Sequence, residues 1–485
     1  MQHSPSRRDF LTRTTGGLVG AVAIRSGATA GEMEFAAKSD EPVPPGFFRE
    51  PSRDIPIVET ADVVVCGAGP AGVSAAITAA RAGARVRLLE VHGCLGGVWT
   101  SGLLSWVLDY RNKSGIMREI AARLEKRQAA VRYPEGAGAA LAYRPEAMKL
   151  LLEEMCEESG VQVQLFTRVC AADVDESKAL RLVVTESKSG RQAWQGKVFI
   201  DATGDGDLAQ LAGCRFDYGG ENGGPAQPMS LLAILTGLDP EQAAPFVRGL
   251  AEPLGERNPK ARFLAEIRRG GVDPSYQAPT LFCLGHGFFA MMANHEYGVC
   301  GFDAAQVTAA TIRARREIHR IIDALRTLGD PWSNVEIAAT AEQIGVREGR
   351  RPYGRYRVTA SDLIRGTRHE DAVCTVTFPV DIHSPDPTKN KAIEARGFRA
   401  QPYDIPFRAL LSADIQGLLF AGRCISGDFT AHSSYRVTGN AAAMGEAAGA
   451  AAALAAARGI PPHELAWPDA AQLRSELARS AEEAG

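Results

Sequence analysis

Along this chain, short apolar runs that stop at glycine alternate with longer segments whose apolar residues recur at helical intervals. Val63, Val64 and Val65 are consecutive, β-branched and followed by a glycine turn, the pattern of a strand buried on both faces. An alanine-rich segment from about Ala71 to Ala82 predicts a helix, and "ARVRLLE" predicts a second strand closed by Glu90. "RPEAMKLLLEEMCEESG" has helical spacing and leads into the strands "VQVQLFTRV" and "LRLVVTE". "GKVFIDATGDGD" and "GLLFAGRCISGD" each read as a strand ending in small residues; an alanine-rich helix follows the second, from about Asn440 to Arg458. Between them, "DAAQVTAATIRARREIHRIIDALRTLG" is an amphipathic helix ending at Gly329, and "YGRYRVTA" and "AVCTVTFPV" alternate as strands do. "PDAAQLRSELARSAEE" predicts a short surface helix.

Gly67, Gly69 and Gly72 give G-x-G-x-x-G between the first strand and the first helix. The first glycine bends the turn, the second admits a pyrophosphate to the backbone, and the third packs helix on strand. The first helical turn, which holds Ala71, aims free N–H groups and the positive dipole end at the phosphates. Glu90, about 20 residues on, is placed to accept ribose hydroxyl bonds and disfavours a 2′-phosphate. An α/β dinucleotide fold follows. The later stretches choose FAD over NAD. Gly96, Gly97 and Thr100 in "LGGVWTSG", Val169 at the end of "VQVQLFTRV", Thr203, Gly204 and Asp205 after one strand, and Gly422 and Arg423 after another all return the chain to the same site. Such returns suit a longer ligand with an isoalloxazine at its far end. No second G-x-G-x-x-G follows a strand, so a separate NAD(P)H domain is not expected.

These elements predict a discontinuous Rossmann-like FAD-binding domain, a parallel sheet with helices and a β-meander, over residues 58–108, 143–235 and 401–458. A small insertion at 109–142, an inserted α+β substrate domain at 236–400 and a C-terminal helix within 459–485 complete it. With 485 residues, 45% of them hydrophobic, the chain has room for two domains, and a net charge of −3 gives no case for a nucleic-acid or anionic-membrane partner. The N-terminus differs in character. "SRRDFL", the short apolar run "LVGAVAI" and "ATA" at Ala28 to Ala30 have the layout of an export signal over residues 1–30, with a proline-containing linker at 31–57. Ser-Arg-Arg-x-Phe-Leu resembles a twin-arginine signal, which implies the twin-arginine export machinery as a partner and a periplasmic or otherwise exported location. The apolar run is too short for stable membrane insertion. Nine cysteines without C-x-x-C clusters argue against a disulfide framework or an iron–sulfur site, and no zinc-ligand spacing is present, so no metal is expected.

The set "DVVVCGAGPAGVSAAITAARAGARVRLLE", "LGGVWTSG", "VFIDATGDGDLAQLAG", "IGVREGRRPYGRYRVT", "YDIPFRALL" and "GNAAAMGEAAGAAAALA" resembles FAD-dependent oxidoreductases of the glutathione reductase and succinate dehydrogenase type. It is most similar to the branch related to the flavin portion of heterodisulfide reductase. The resemblance implies FAD, redox chemistry and an inserted substrate domain. "LGGVWTSGLL" lacks the C-x-x-x-x-C pair of disulfide reductases, and "GGVWTSG" lacks the histidine through which succinate dehydrogenases attach FAD, so non-covalent FAD is expected. Relatives carry an acid where Arg423 stands, which leaves Asp428 or Asp205 as candidates for the flavin ribityl chain.

The candidate chemistry sits in "DFTAHSSYRVTGNA", where His432 and Arg436 lie just before the helix that starts near Asn440. On a loop both would face the site. The order His-x-x-x-Arg-x-x-Gly-Asn-Ala resembles the C-terminal motif of fumarate reductase flavoproteins, which implies that Arg436 holds a substrate carboxylate with His432 nearby as a donor. A structural ion pair or flavin-supporting contact for Arg436 and a packed, hydrogen-bonded imidazole for His432 are the alternatives. "GVREGRRPYG" offers Arg347 or Arg350, with Arg351 on a solvated face, while Asp381, His383, His295 and His286 read as structural. The chain is thus expected to be an exported dehydrogenase or reductase, moving a hydride between flavin N5 and a small polar organic molecule with an unidentified electron acceptor or donor. A flavin-bearing protein that only transfers electrons within a larger redox complex is the alternative.

Overall fold

The computed structural model describes residues 45–133, 140–248, 258–394 and 397–484. The expected export signal lies outside the described residues. The chain divides at Asp54: residues 45–54 are exposed and hold no helix or strand, and the architecture described below begins at Ile55.

The main sheet is built from β1 (Ile57–Cys66), β2 (Val86–Leu89), β3 (Gln162–Gln164), β4 (Arg168–Val174), β5 (Leu180–Ser187), β6 (Gly190–Asp201) and β7 (Leu418–Phe420). The parallel part runs β3–β2–β1–β6–β7, and β4 and β5 form an antiparallel meander on the first half of β6. Val63, Val64 and Val65 are fully buried, as a strand covered on both faces requires. Helix α1 (Pro70–Arg81) starts with proline at its first position, where a missing N–H costs nothing.

A second, antiparallel sheet has the strand order Thr280–Gly285, Phe288–Met292, Ala233–Thr236 and Glu336–Thr340. The amphipathic helix Ala304–Arg326 lays Ala310, Ala314, Ile318, Ile321, Ile322 and Leu325 into its core. That core also takes Trp106, and Tyr133 and Ala142 of the small insertion, which draws the insertion onto the inserted sheet. Val358, Leu363, Val373 and Val376 pack with the main core instead, so residues from 351 to 376 leave the inserted region and rejoin the nucleotide fold. "YGRYRVTA" does not form the expected strand. Its backbone makes isolated bridges from Gly354 to Ser412 and from Val358 to Gly427, because its neighbours are turns of the main core rather than a sheet edge.

Two helices close the site. α2 (Phe429–Tyr435) replaces the loop expected around His432, and α3 (Thr438–Arg458) is the alanine-rich helix. Gly445 and Gly449 press α3 onto α1: a Cβ on them would lie 2.0 Å from the Ala71 carbonyl oxygen and 2.2 Å from that of Ala75. Glu446, buried in the same helix, pairs with Arg474 at 2.8 Å and accepts from the Ile116 N–H at 3.0 Å. No helix among the described residues is long and apolar enough to cross a membrane.

Candidate active site

Four segments converge on the turn between β1 and α1. Gly67 has φ +94°, which favours glycine, and a Cβ there would lie 2.6 Å from the Ala202 carbonyl oxygen. Gly72 lies against the Gly67 carbonyl, where a Cβ would sit at 1.8 Å. Gly69 is different: a Cβ would meet nothing within 4 Å. The protein itself leaves that space, and it lies where a pyrophosphate meets the N-terminus of α1. The Gly96 N–H donates to the Ala68 carbonyl at 2.7 Å, and Gly97 packs against the Cα of Gly69.

Glu90 is buried at the end of β2. Its Oε2 accepts from the Ala68 N–H at 2.6 Å and its Oε1 from the His92 N–H at 2.9 Å, which leaves further lone pairs for ribose hydroxyls. The Thr167 N–H donates to the Glu90 carbonyl at 2.8 Å and brings the start of β4, with Val169, alongside. On the other side, the Ala202 N–H donates to Cys66 and the Ala421 N–H to Asp201, both at 2.9 Å. Thr203 and Gly204 thereby stand beside Gly422 and Arg423. Arg423 is paired with Asp205 at 2.8 Å, which balances the charge of an arginine where relatives carry an acid.

Several candidate side chains are committed elsewhere. Asp428 caps α2, accepting from Ala431 at 2.7 Å, and its other oxygen accepts from Ala360 at 2.8 Å. Its carboxylate thus serves backbone donors rather than a free site position. The Thr100 hydroxyl donates to the Leu95 carbonyl at 2.5 Å and holds the second glycine turn. Arg350 bonds Asp207 at 2.9 Å and lies over Phe302 at 3.9 Å. Arg351 is not solvated: it is buried, pairs with Glu348 and donates to the Gly219 carbonyl at 2.9 Å.

Other groups await partners. Asn440 is fully buried in the first turn of α3, with no hydrogen bond to either amide atom, and the Thr438 hydroxyl also lacks one. Neither ring nitrogen of His432 has a partner of ordinary geometry, and the ring is fully buried edge-on to Tyr435. Burial, then the charges of Arg351, Arg436 and Arg423, hold His432 far below the usual histidine pKa and keep it neutral. Unpaired buried polar atoms are costly, so these groups fit a polar ligand edge such as that of an isoalloxazine. The open cradle at Gly69 and the orphaned atoms at Asn440 show that the residues present fit FAD.

Beyond α2, the structure gathers a cluster that spacing does not reveal. Arg436 Nη2 donates to the Asp381 carbonyl at 2.7 Å and lies 3.4 Å from its carboxylate and 3.3 Å from Gln227 Oε1. Arg347 donates to the Pro228 carbonyl at 2.6 Å. Burial, then the charge of Arg436, pushes Arg347 down to about 10. Asp381 lies beside His383, His383 beside His295, and Tyr276 stacks over His295 with its buried hydroxyl unpartnered. Asp381 is held well below the usual carboxylate range, because His383, Arg436 and Arg347 outweigh its burial. Arg248 and Lys260 are close enough for Asp381 to raise their pKa values, and burial, then Arg248, pushes Lys260 down to about 8. Sequence reasoning singles out Arg436 and Arg347 and sets Asp381, His295 and His383 aside as structural. It misses Gln227, Arg248, Lys260 and Tyr276, which carry no local motif. Among the described residues no group of side chains is arranged to hold a metal ion.

The fold and the cradle define a dinucleotide-binding flavoprotein. The sequence model of the FAD dependent oxidoreductase family matches residues 62–477, and the chain belongs to that family: it is an FAD-dependent oxidoreductase with FAD as its cofactor. No curated protein matches it. Among solved structures it is similar to a geranylgeranyl bacteriochlorophyll reductase-like protein from Thermoplasma acidophilum, at 14% identity and a TM-score of 0.43 over 88% of this chain and 84% of that one. The flavin-dependent brominase Bmp2 is similar at 12% identity and a TM-score of 0.46, over 87% and 84%. The myxobacterial chondrochloren halogenase CndH is similar at 12% identity and a TM-score of 0.43, over 87% and 79%.

Proposed function

We propose that the protein is a dehydrogenase or reductase that moves a hydride between its FAD and a small polar organic acid, bound at the cluster around Arg436 and Arg347. The observation that supports this reading most is the charge imbalance of that cluster. Arg347, Arg436 and Lys260 surround Asp381, while nearby Glu348 is already paired with Arg351. Partly buried cations in excess of anions are unfavourable without a counter-charge, which a carboxylate substrate would supply. Arg436 donates to protein carbonyls through Nη2 at 2.7 Å, and only over long contacts through Nη1 at 3.5 Å and Nε at 3.4 Å. A carboxylate would take over the two weak contacts, while Tyr276 offers an unpartnered hydroxyl and neutral His432 can donate or accept. Bound FAD supplies a two-electron acceptor or donor at N5. The chain's own residues position the acid, exclude water and balance its charge.

The N-terminal pattern supports export of the folded, FAD-loaded protein by the twin-arginine route, and the absence of an attachment histidine in "GGVWTSG" supports non-covalent FAD. The test of the substrate reading is an anaerobic screen of small organic acids against their neutral amides and esters, followed by flavin absorbance. Acids that bleach or restore the flavin while their amides do not are the expected result. Equal response to neutral analogues would remove the anion from the reading.

A further inference from the structure

Asp381, His383, His295 and Tyr297 form a continuous line of side chains that the nucleotide fold does not require. His383 Nε2 lies 3.4 Å from Asp381 Oδ2, His383 Nδ1 lies 3.0 Å from His295 Nε2, and His295 Nδ1 lies 3.0 Å from the Tyr297 hydroxyl. The same hydroxyl reaches the Ser275 carbonyl at 3.2 Å. The two ends of the line are partly open and its middle is not. The Asp381 side chain is 24% exposed beside Arg436, that of His383 is 5% exposed, and Tyr297 is partly exposed next to exposed Gly298.

We propose that Tyr297, His295 and His383 form a proton wire that exchanges one proton between solvent at Tyr297 and the carboxylate of Asp381. The proposal rests on the reading of the Arg436 cluster as the substrate site. With Asp381 ionised, the hydrogen-bonded donors point the same way, Tyr297 O–H to His295 Nδ1 and His295 Nε2–H to His383 Nδ1. The last contact, His383 Nε2–H to Asp381 Oδ2 with the heavy atoms 3.4 Å apart, shortens to a hydrogen bond when the proton passes. A proton arriving on the Tyr297 oxygen moves each of these protons one place inward. Asp381 becomes the acid, both imidazoles stay neutral with their protons now on Nδ1, and the Tyr297 hydroxyl turns to Ser275. One proton enters, one passes through Asp381 toward the substrate, and no electron moves. The arginines beside that carboxylate favour its ionised form and make it a relay rather than a store. Run in reverse, the line delivers to solvent a proton that a substrate hydroxyl has given to Asp381.

The surroundings keep the wire neutral between transfers. Burial, then the charge of Arg347, pushes His383 down to about 4 and His295 further below the histidine range. Tyr297 is pushed up to about 12, chiefly by burial. The charged and titratable groups facing the line are Arg347, Arg436, Arg248, Lys260 and Tyr276, with Glu317 toward Tyr297. Tyr276 covers the His295 ring at 4.1 Å, which limits water access to the middle.

Two measurements on the FAD-loaded protein test this. Nitrogen-15 NMR of histidine-labelled protein at neutral pH, without substrate, is expected to show His295 and His383 both neutral and both protonated at Nε2. A proton on Nδ1 of either ring, or a doubly protonated ring, breaks the line of donors and overturns the proposal. In stopped flow with a pH-indicator dye, and the acid found by the screen above, the proton signal of Tyr297→Phe should lag flavin bleaching by on the order of 10²-fold more than in wild type, the size of a lost general acid–base step. An unchanged lag overturns the wire. Failure of the substrate reading looks different: Arg436→Lys and Arg347→Lys would then bleach at the wild-type rate, whatever the NMR shows.

Discussion

At Gly69 the protein leaves room for a side chain, and a pyrophosphate at the N-terminus of α1 would fill it. A Cβ there meets no protein atom within 4 Å, whereas at Gly72 it would lie 1.8 Å from a carbonyl oxygen. Gly69→Val is therefore expected to purify without FAD and to melt near FAD-stripped wild type, below the FAD-loaded protein, because only the ligand's stabilisation is lost. A yellow, fully loaded Gly69→Val protein would show that the pyrophosphate lies elsewhere. Lys260 carries a pH prediction. Its ammonium is charged below about 8 and neutral above, so an organic acid should bind more weakly as the pH rises through that value, and Lys260→Met should lose this dependence. Affinity unchanged across that range in wild type would take Lys260 out of the anion's surroundings. The glycine positions and Glu90 are legible in sequence because backbone approach and a terminal acid fix their spacing. The His295–His383 pair is not, since its members lie 88 residues apart and meet only through tertiary packing.

Helices α1 and α3 act as one element, because Gly445 and Gly449 let the backbones touch directly over Ala71 and Ala75. Gly445→Ala places a methyl 2.0 Å from the Ala71 carbonyl oxygen and must part the helices. A loss of about 1–3 kcal/mol is expected from such overpacking, and FAD occupancy should fall with it, since Ala71 belongs to the phosphate-facing turn. Thermal melts with and without added FAD measure both effects, and an unchanged melting temperature would contradict the packing. The alanine-rich helix itself is legible. Which face meets α1 is not, because a run of alanines has almost no amphipathic period. The short helix α2 escapes sequence reasoning for a related reason: seven residues, all buried, offer no polar face to mark the period. Its capping residue, Asp428, stands out as an acid after a glycine turn, but nothing local separates a helix cap from a cofactor contact.

At the scale of the whole molecule, a nucleotide fold and a second core divide the work of holding FAD and gathering the polar cluster. The parallel sheet and the amphipathic helix of the second core are readable from periodicity. The return of residues 351–376 to the main core is not, because alternation in "YGRYRVTA" mimics a strand where the chain makes only bridges. If the N-terminal arginines address the protein for export, changing Arg7 and Arg8 to lysine should strand precursor in the cytoplasm although the charge is unchanged. Processed protein in the periplasm at the wild-type level would contradict that. Denaturation should release the flavin into the supernatant, and colour that stays with the polypeptide would contradict non-covalent binding.

Arg436 is proposed to hold an anionic substrate against the flavin rather than to serve the fold through Asp381 alone. The most direct test of that role is the rate of anaerobic flavin bleaching in Arg436→Lys, read beside FAD occupancy. Lysine keeps the charge for Asp381 but loses the planar fork. Full FAD occupancy, a folded protein and bleaching slower by on the order of 10²-fold are expected, the size of a lost orienting and charge-stabilising contact. Bleaching at the wild-type rate, or loss of FAD from the purified variant, would contradict that role.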